Sequence, residues 1–264
     1  MPRRLQRKAN LRHAPERQSP DRPAGKHRSH RAGHETGAPT PALRRAYELM
    51  RAHFGHLGWW PGETPFEVCV GAILTQNTAW SNVERAIANL KAARVLEPEK
   101  LFALSEARLA ELIRPTGYFN VKARRLRSFL RVLIEAHGGD LDRLFAGETS
   151  TVRERLLAIN GIGPETADSL LLYAGGHHSF VIDAYTKRIF HRHKWCAPET
   201  DYDDVKGLCE SSLNPSAYFA KYAARLDYWQ DYHAQLVMVG KHFCRPREPR
   251  CDRCPLRPLL PRRD

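Results

Sequence analysis

Leu156-Leu157-Ala158-Ile159-Asn160-Gly161-Ile162-Gly163-Pro164-Glu165-Thr166-Ala167-Asp168 is the stretch that decides how this chain folds. It reads as a helix end, a tight glycine turn and the start of a second helix. Gly161 and Gly163 lack a Cβ and so allow tight backbone geometry with positive φ. Pro164 suits the first turn of a helix, where its missing N–H costs nothing. N–H groups in such a turn, next to a helix N-terminus, form a site for phosphate. Contacts of that kind fix position on DNA without reading its sequence. A Gly-x-Gly alone is weak and is more often just a turn. The next segment strengthens it: Phe180-Val181-Ile182-Asp183-Ala184-Tyr185-Thr186-Lys187-Arg188 brings one carboxylate out of an apolar run, eighteen residues after Glu165.

Outward from the hairpin the pattern is helical almost throughout. Helices are expected over Ala42–Phe54, Phe66–Thr75, from a Ser81 cap to about Ala93, Ser105–Ile113 and Val121–Ala136. Thr151–Ile159 and Pro164–Tyr173 flank the turn. Asp183–His193, Tyr202–Leu213 and Ser216–Phe243 follow. Few segments alternate with period two, so the chain reads as all-α, with no internal repeat.

The 264 residues are 42% hydrophobic, enough for a core, and carry a net charge of +13 with a pI near 9.7. Such a balance favours a polyanionic partner. Residues 1–40 hold ten Lys/Arg against three Asp/Glu, so +7 of the charge lies there. That segment is rich in Pro, Gly, Ser and His and is expected to be disordered. It serves either solubility or nucleic-acid contact. It has no apolar core of a secretory signal, and its Arg-rich composition lacks the amphipathic pattern of a transit peptide. No run approaches the roughly 18 apolar residues of a membrane span. The expected setting is therefore intracellular, cytoplasmic or nucleoid-associated, with no membrane partner. Cys69, Cys196 and Cys209 are scattered and Cys244, Cys251 and Cys254 clustered, which is not a secreted disulfide framework.

With these motifs the chain, over about residues 42–254, resembles the helix-hairpin-helix glycosylase superfamily and its endonuclease III-like members. Leu74-Thr75-Gln76-Asn77-Thr78 is similar to the family segment whose Gln enters the gap left by a flipped base. Gly117-Tyr118-Phe119-Asn120-Val121-Lys122-Ala123 is similar to its Gly-x-Tyr-Asn-x-Lys-Ala turn, with Phe119 replacing the Tyr and Tyr118 as the implied wedge in the duplex. Read without the family, Gln76 and Tyr118 are ordinary helix-end residues. Bifunctional members carry Lys where Glu165 stands. That amine attacks the sugar C1′ to form a Schiff base, which glutamate cannot do. Asp183 matches the catalytic aspartate and is also a good helix N-cap. Glu165 is either a modulator of Asp183 or a solvated helix-start carboxylate; close to Asp183, repulsion would raise the pKa of one of the two.

Trp59-Trp60-Pro61 resembles the base pocket of 3-methyladenine DNA glycosylase III, a branch that also lacks the Lys. Aromatic rings stack on flipped bases, and a cationic alkylated purine adds a cation–π attraction. The alternative is core packing. Cys244-x6-Cys251-x2-Cys254 is similar to the first three ligands of the family's [4Fe–4S] loop, but the fourth position is Leu260. A cluster would then take Cys196, Cys209 or water; zinc or a metal-free loop are the other readings. Any cluster would be structural, ordering the basic run of Arg245, Arg247, Arg250 and Arg253 toward phosphates.

The resemblance implies a two-lobed helix-hairpin-helix glycosylase fold. A helical barrel covers 64–178, and a second lobe joins 41–63 to 179–264 with the cysteine loop. It implies a monomeric enzyme that hydrolyses the N-glycosidic bond of a damaged base, an alkylated purine, in double-stranded DNA, with no lyase step. The rivals are an endonuclease III-like glycosylase for oxidised pyrimidines, a catalytically silent DNA-binding protein of the same fold, and a redox-sensing DNA binder.

Overall fold

In a computed structural model of the chain, the residues described are 40–59, 62–213 and 226–261. The basic segment before residue 40, Trp60, Pro61 and the first part of the expected last helix lie outside them. Among the described residues every regular element is helical. In order, α1 is Thr40–Phe54, α2 Pro65–Leu74, α3 Trp80–Ala92, α4 Pro98–Ala103, α5 Glu106–Leu112 and α6 Phe119–His137. They are followed by α7 Leu141–Phe145, α8 Thr149–Leu157, α9 Pro164–Tyr173, α10 Ala184–Arg192, α11 Tyr202–Leu213 and α12 Leu226–His242.

Local chemistry explains most boundaries. The Thr64 side chain caps α2 by accepting from the Glu67 N–H, and Pro65 fills the first turn. α2 is buried nearly all round, as a helix running between two packed layers must be. α6 instead buries one stripe, Lys122, Leu126, Phe129, Leu130 and Leu133, and Gly138 closes it at φ 65°. α3 differs from expectation: it begins at Trp80 with Ala79 at the cap position and no side-chain cap bond, so Ser81 lies inside the first turn. The Trp80 ring packs onto α2 so closely that a Cβ on Gly71 would lie 3.1 Å from it. α4 and α7 hold six and five residues, too few to show a period in the sequence.

Two hydrophobic clusters fill the molecule, in keeping with the two-lobed fold. The first is built from α2 to α9, with Leu74, Leu126, Phe129 and Leu170 fully buried. The second joins α1, α10, α11 and α12 to the Phe180-Val181-Ile182 run. Each fully buried Leu or Phe contributes about 1.5–3 kcal/mol relative to exposure. α2 and α9 border both clusters: Val68, Leu172 and Tyr173 face the second, and the rest of their buried apolar residues the first. The chain thus starts the second cluster, builds the first, and returns to finish the second.

Candidate active site

The hairpin turn is fixed by burial at two points. Ile159 and Ile162 are 4% and 5% exposed and tuck into the first cluster. Between them Gly161 sits at φ 90°, and a Cβ there would lie 2.3 Å from Arg125 Cγ. A glycine is needed there for both reasons. Gly163 is different from expectation. Its φ is −95°, it occupies the position before α9, and a Cβ there would meet nothing within 4 Å. Its smallness leaves the start of α9 open to approach.

Gln76 holds this turn. It follows α2, and its Nε2 donates to the Gly161 carbonyl at 3.1 Å and to Thr166 Oγ1 at 2.9 Å. Its Oε1 accepts from the Arg125 guanidinium. Gln76, Arg125, Glu165, Ser169 and Tyr202 line a cleft of about 660 Å³ that runs along the hairpin, within the size range of ligand-binding sites.

The Tyr118 turn is built just as specifically. Gly117 and Tyr118 both have positive φ, 65° and 45°, and α6 begins immediately after. Left-handed geometry at a tyrosine costs about 1–3 kcal/mol unless its surroundings impose it. Here Lys122, 1% exposed, reaches back and donates from Nζ to the Thr116 carbonyl at 2.7 Å. Burial, aided by Arg125, pushes the Lys122 amine down to about 8. The lysine of the motif is therefore a clamp on the turn. Tyr118 itself is 74% exposed at this turn.

Asp183 emerges from the buried Phe180-Val181-Ile182 run and caps α10, with Oδ1 accepting from the Thr186 N–H at 2.7 Å. Its side chain is 13% exposed, and Oδ2 lies 3.7 Å from His233 Nε2. Burial alone would raise its carboxyl; His233 and then the Thr186 N–H outweigh burial and hold it below the usual value. Glu165 moves the other way, pushed up first by its protein-dense surroundings and then by Asp183. More than a third of the Glu165 surface still meets solvent, so water screens this shift. The two carboxylates are close enough to interact, and their environments separate them.

His233, Tyr173, Arg125 and Tyr202 are site residues that the sequence reading did not pick out. The available signal was on α12, where Gln230, Asp231, His233 and Gln235 are all buried in one helix. Lys187 lies with Nζ 5.9 Å from the centre of the Tyr202 ring. Trp59 packs, partly buried, against the second cluster, and its neighbours Trp60 and Pro61 fall outside the described residues.

The cysteine loop follows α12. Cys244, Cys251 and Cys254 line one small cavity with Leu260, His193 and Arg192. It encloses about 30 Å³, room for a water-sized group. Leu260 offers no lone pair. Cys196 and Cys209 are buried elsewhere in the second cluster, away from this lining. No group of three or more His, Cys, Asp or Glu side chains is placed to hold a metal ion among the described residues. As the four-thiolate set that normally holds a [4Fe–4S] cluster, these residues do not fit.

Comparison with known proteins agrees with this geometry. Residues 70–215 match the model of the HhH-GPD superfamily of base excision DNA repair proteins. A Methanocaldococcus jannaschii protein, provisionally named a DNA repair glycosylase, is 44% identical over 81% of this chain and 94% of its own length. Endonuclease III of Thermotoga maritima is 27% identical over 72% of this chain and 79% of its own. The crystal structure of Helicobacter pylori 3-methyladenine DNA glycosylase bound to 1,N6-ethenoadenine is similar at a TM-score of 0.66 and 29% identity, covering 76% of this chain and 96% of that one. The clamped glycine hairpin and the carboxylate that caps α10 therefore sit in a DNA repair glycosylase fold, and the chain belongs to the HhH-GPD superfamily of base excision DNA repair proteins.

Proposed function

We propose that the protein is a monofunctional DNA glycosylase that releases an alkylated purine from double-stranded DNA by hydrolysis. The observation that carries this reading is the pair formed by Asp183 and Glu165. Asp183 is a shielded carboxylate kept ionised, and Glu165 stands on the hairpin where a Schiff-base lysine would be needed for strand cleavage. Water adds to C1′ as the bond from C1′ to the base nitrogen breaks; the cationic alkylated base takes the bonding pair and leaves neutral, and the proton lost by the water passes to solvent. Asp183 stabilises the oxocarbenium-like charge at C1′ and accepts hydrogen bonding from the attacking water. Gln76 fills the space left by the flipped nucleotide, Tyr118 wedges the duplex, and Gly161 and Gly163 lie against phosphate. Trp59, with Trp60 and Pro61, stacks on the extruded base. The likeness to a 3-methyladenine glycosylase supports this choice of substrate. No step runs through the cysteine loop; its arginines meet DNA backbone as point charges. The protein acts as a monomer, with a barrel lobe over 64–178 and a second lobe over 41–63 and 179–264, inside the cell.

The test is incubation of the purified protein with alkylated duplex DNA, assaying free 3-methyladenine and strand breaks separately. Wild type is expected to release base without nicking, and Asp183→Asn to lose about 10²–10⁴-fold in rate. Release of oxidised pyrimidines instead would move the protein to the endonuclease III type. Borohydride trapping of the enzyme on DNA would refute the monofunctional reading, and binding without any release would refute the enzyme.

A further inference from the structure

Beside Asp183 lies a buried polar network that excision as described does not use. His233 of α12 is 8% exposed and stands between Tyr173 of α9 and Asp183 at the start of α10. The Tyr173 hydroxyl lies 2.5 Å from His233 Nδ1. His233 Nε2 lies 3.7 Å from Asp183 Oδ2, beyond hydrogen-bond range and within ion-pair reach. Nε2 has no hydrogen-bond partner among the described residues. Neither has the hydroxyl of Thr186, whose backbone N–H already donates to Asp183. Buried polar groups are nearly always paired. Both groups stand beside the Asp183 carboxylate and favour its charged form.

We propose that His233 is a positioning residue for Asp183, with its Nε2–H directed at the carboxylate and its ring held in that orientation by the Tyr173 hydroxyl. The inference rests on the glycosylase reading of Asp183. The orientation survives a change of protonation state. With a neutral ring, the Tyr173 O–H donates to Nδ1 and the single ring proton sits on Nε2. With a charged ring, Nδ1–H donates to the Tyr173 oxygen and the hydroxyl turns to the Gln230 carbonyl, 3.4 Å away. Both arrangements leave an Nε2–H facing Asp183.

The consequence is a choice between two carboxylates. Asp183 and Glu165 repel, and a pair of this kind shares its charge unequally. His233 pulls on both, but it is Asp183 that it contacts. The negative charge is thereby placed at the shielded Asp183, and a proton is held more readily by Glu165, which opens to the cleft. Two carboxyl groups divided in this way can take separate acid and base roles. Of the other charged groups nearby, Lys187 of α10 acts on Glu165, and Asp231 of α12, which acts on Tyr173 of α9, is itself paired with Arg51 of α1.

The test reads Asp183 directly. In the free protein, ¹³C-carboxylate NMR with Asp183→Asn for assignment gives its titration without any lesion. His233→Gln removes an interaction that favours the anion, so the Asp183 midpoint is expected to rise, by about one pH unit. Tyr173→Phe keeps the ring and frees the imidazole, so its midpoint is expected to rise less; it also decides the matter if His233→Gln fails to fold. Single-turnover excision should follow. Its acid limb moves to higher pH, with a loss of about tenfold on the acid side that fades at alkaline pH. An unchanged Asp183 midpoint in the folded variants, or a rate loss equal at every pH, overturns the proposal. Absence of excision by wild type would overturn the glycosylase reading, and the NMR titration would still decide whether His233 acts on Asp183.

Discussion

The hairpin turn of residues 158–163 and the C-terminal loop of residues 244–260 are both irregular, yet they hold their shape by different means. The hairpin is held by its own two buried isoleucines and one left-handed glycine, with the Gln76 amide of α2's end on its carbonyl. The C-terminal loop buries only Cys244 and Leu256 to any depth and borrows its order from α10. Arg188 donates from Nε to the Cys244 carbonyl at 2.6 Å. Arg192 reaches the Arg245 and Pro246 carbonyls at 2.7 and 3.0 Å, and Cys244 Sγ at 3.3 Å. In the hairpin, backbone geometry defines the turn. In the C-terminal loop, guanidinium groups occupy the carbonyls.

Four substitutions probe that contrast. Gly161→Ala should have the largest effect, since it meets both the positive φ and the Arg125 stem; a loss of about 2–4 kcal/mol in urea unfolding is expected, with weaker DNA binding. Gly163→Ala in parallel should stay within about 1 kcal/mol, because neither constraint applies. If the two cost the same, the turn is not held by Gly161. Arg192→Ala comes next, at about 1–3 kcal/mol, from several lost bonds to carbonyls in a half-buried setting. Cys251→Ser should be smallest, within about 0.5 kcal/mol. A greater loss from Cys251→Ser than from Arg192→Ala, together with stoichiometric iron and sulfide in the wild-type protein, would show the loop to be ordered by a cluster after all.

Much of this was legible in the sequence, because the motifs are local. The glycine hairpin and the Asp183 cap each lie within a few residues, so spacing exposes them; the Tyr118 turn is marked only by the family resemblance. Of Gly161 and Gly163 only the first takes a positive φ, and two glycines in one turn do not say which will. The packing of Gln76 against Gly161 was not readable, because it joins residues 85 positions apart. The pairing of Tyr173 with His233 spans 60 positions and leaves no periodic trace. Its only hint was the run of polar residues on a helix that turned out to be buried.

The discontinuous second cluster also has a consequence in time. The first cluster is made from one unbroken stretch and can form while the chain is still being synthesised. The second must wait, because α12 joins α1 through contacts about 180 residues apart: Asp231 with Tyr47 and Arg51, the Tyr232 hydroxyl on the Leu43 carbonyl, and Gln235 on the Gly55 carbonyl. Closing so long a loop is slow relative to local helix pairing. His233 rides on that same helix. The carboxylate end of the site therefore rests on contacts that close nearly the whole chain, which the hairpin does not need.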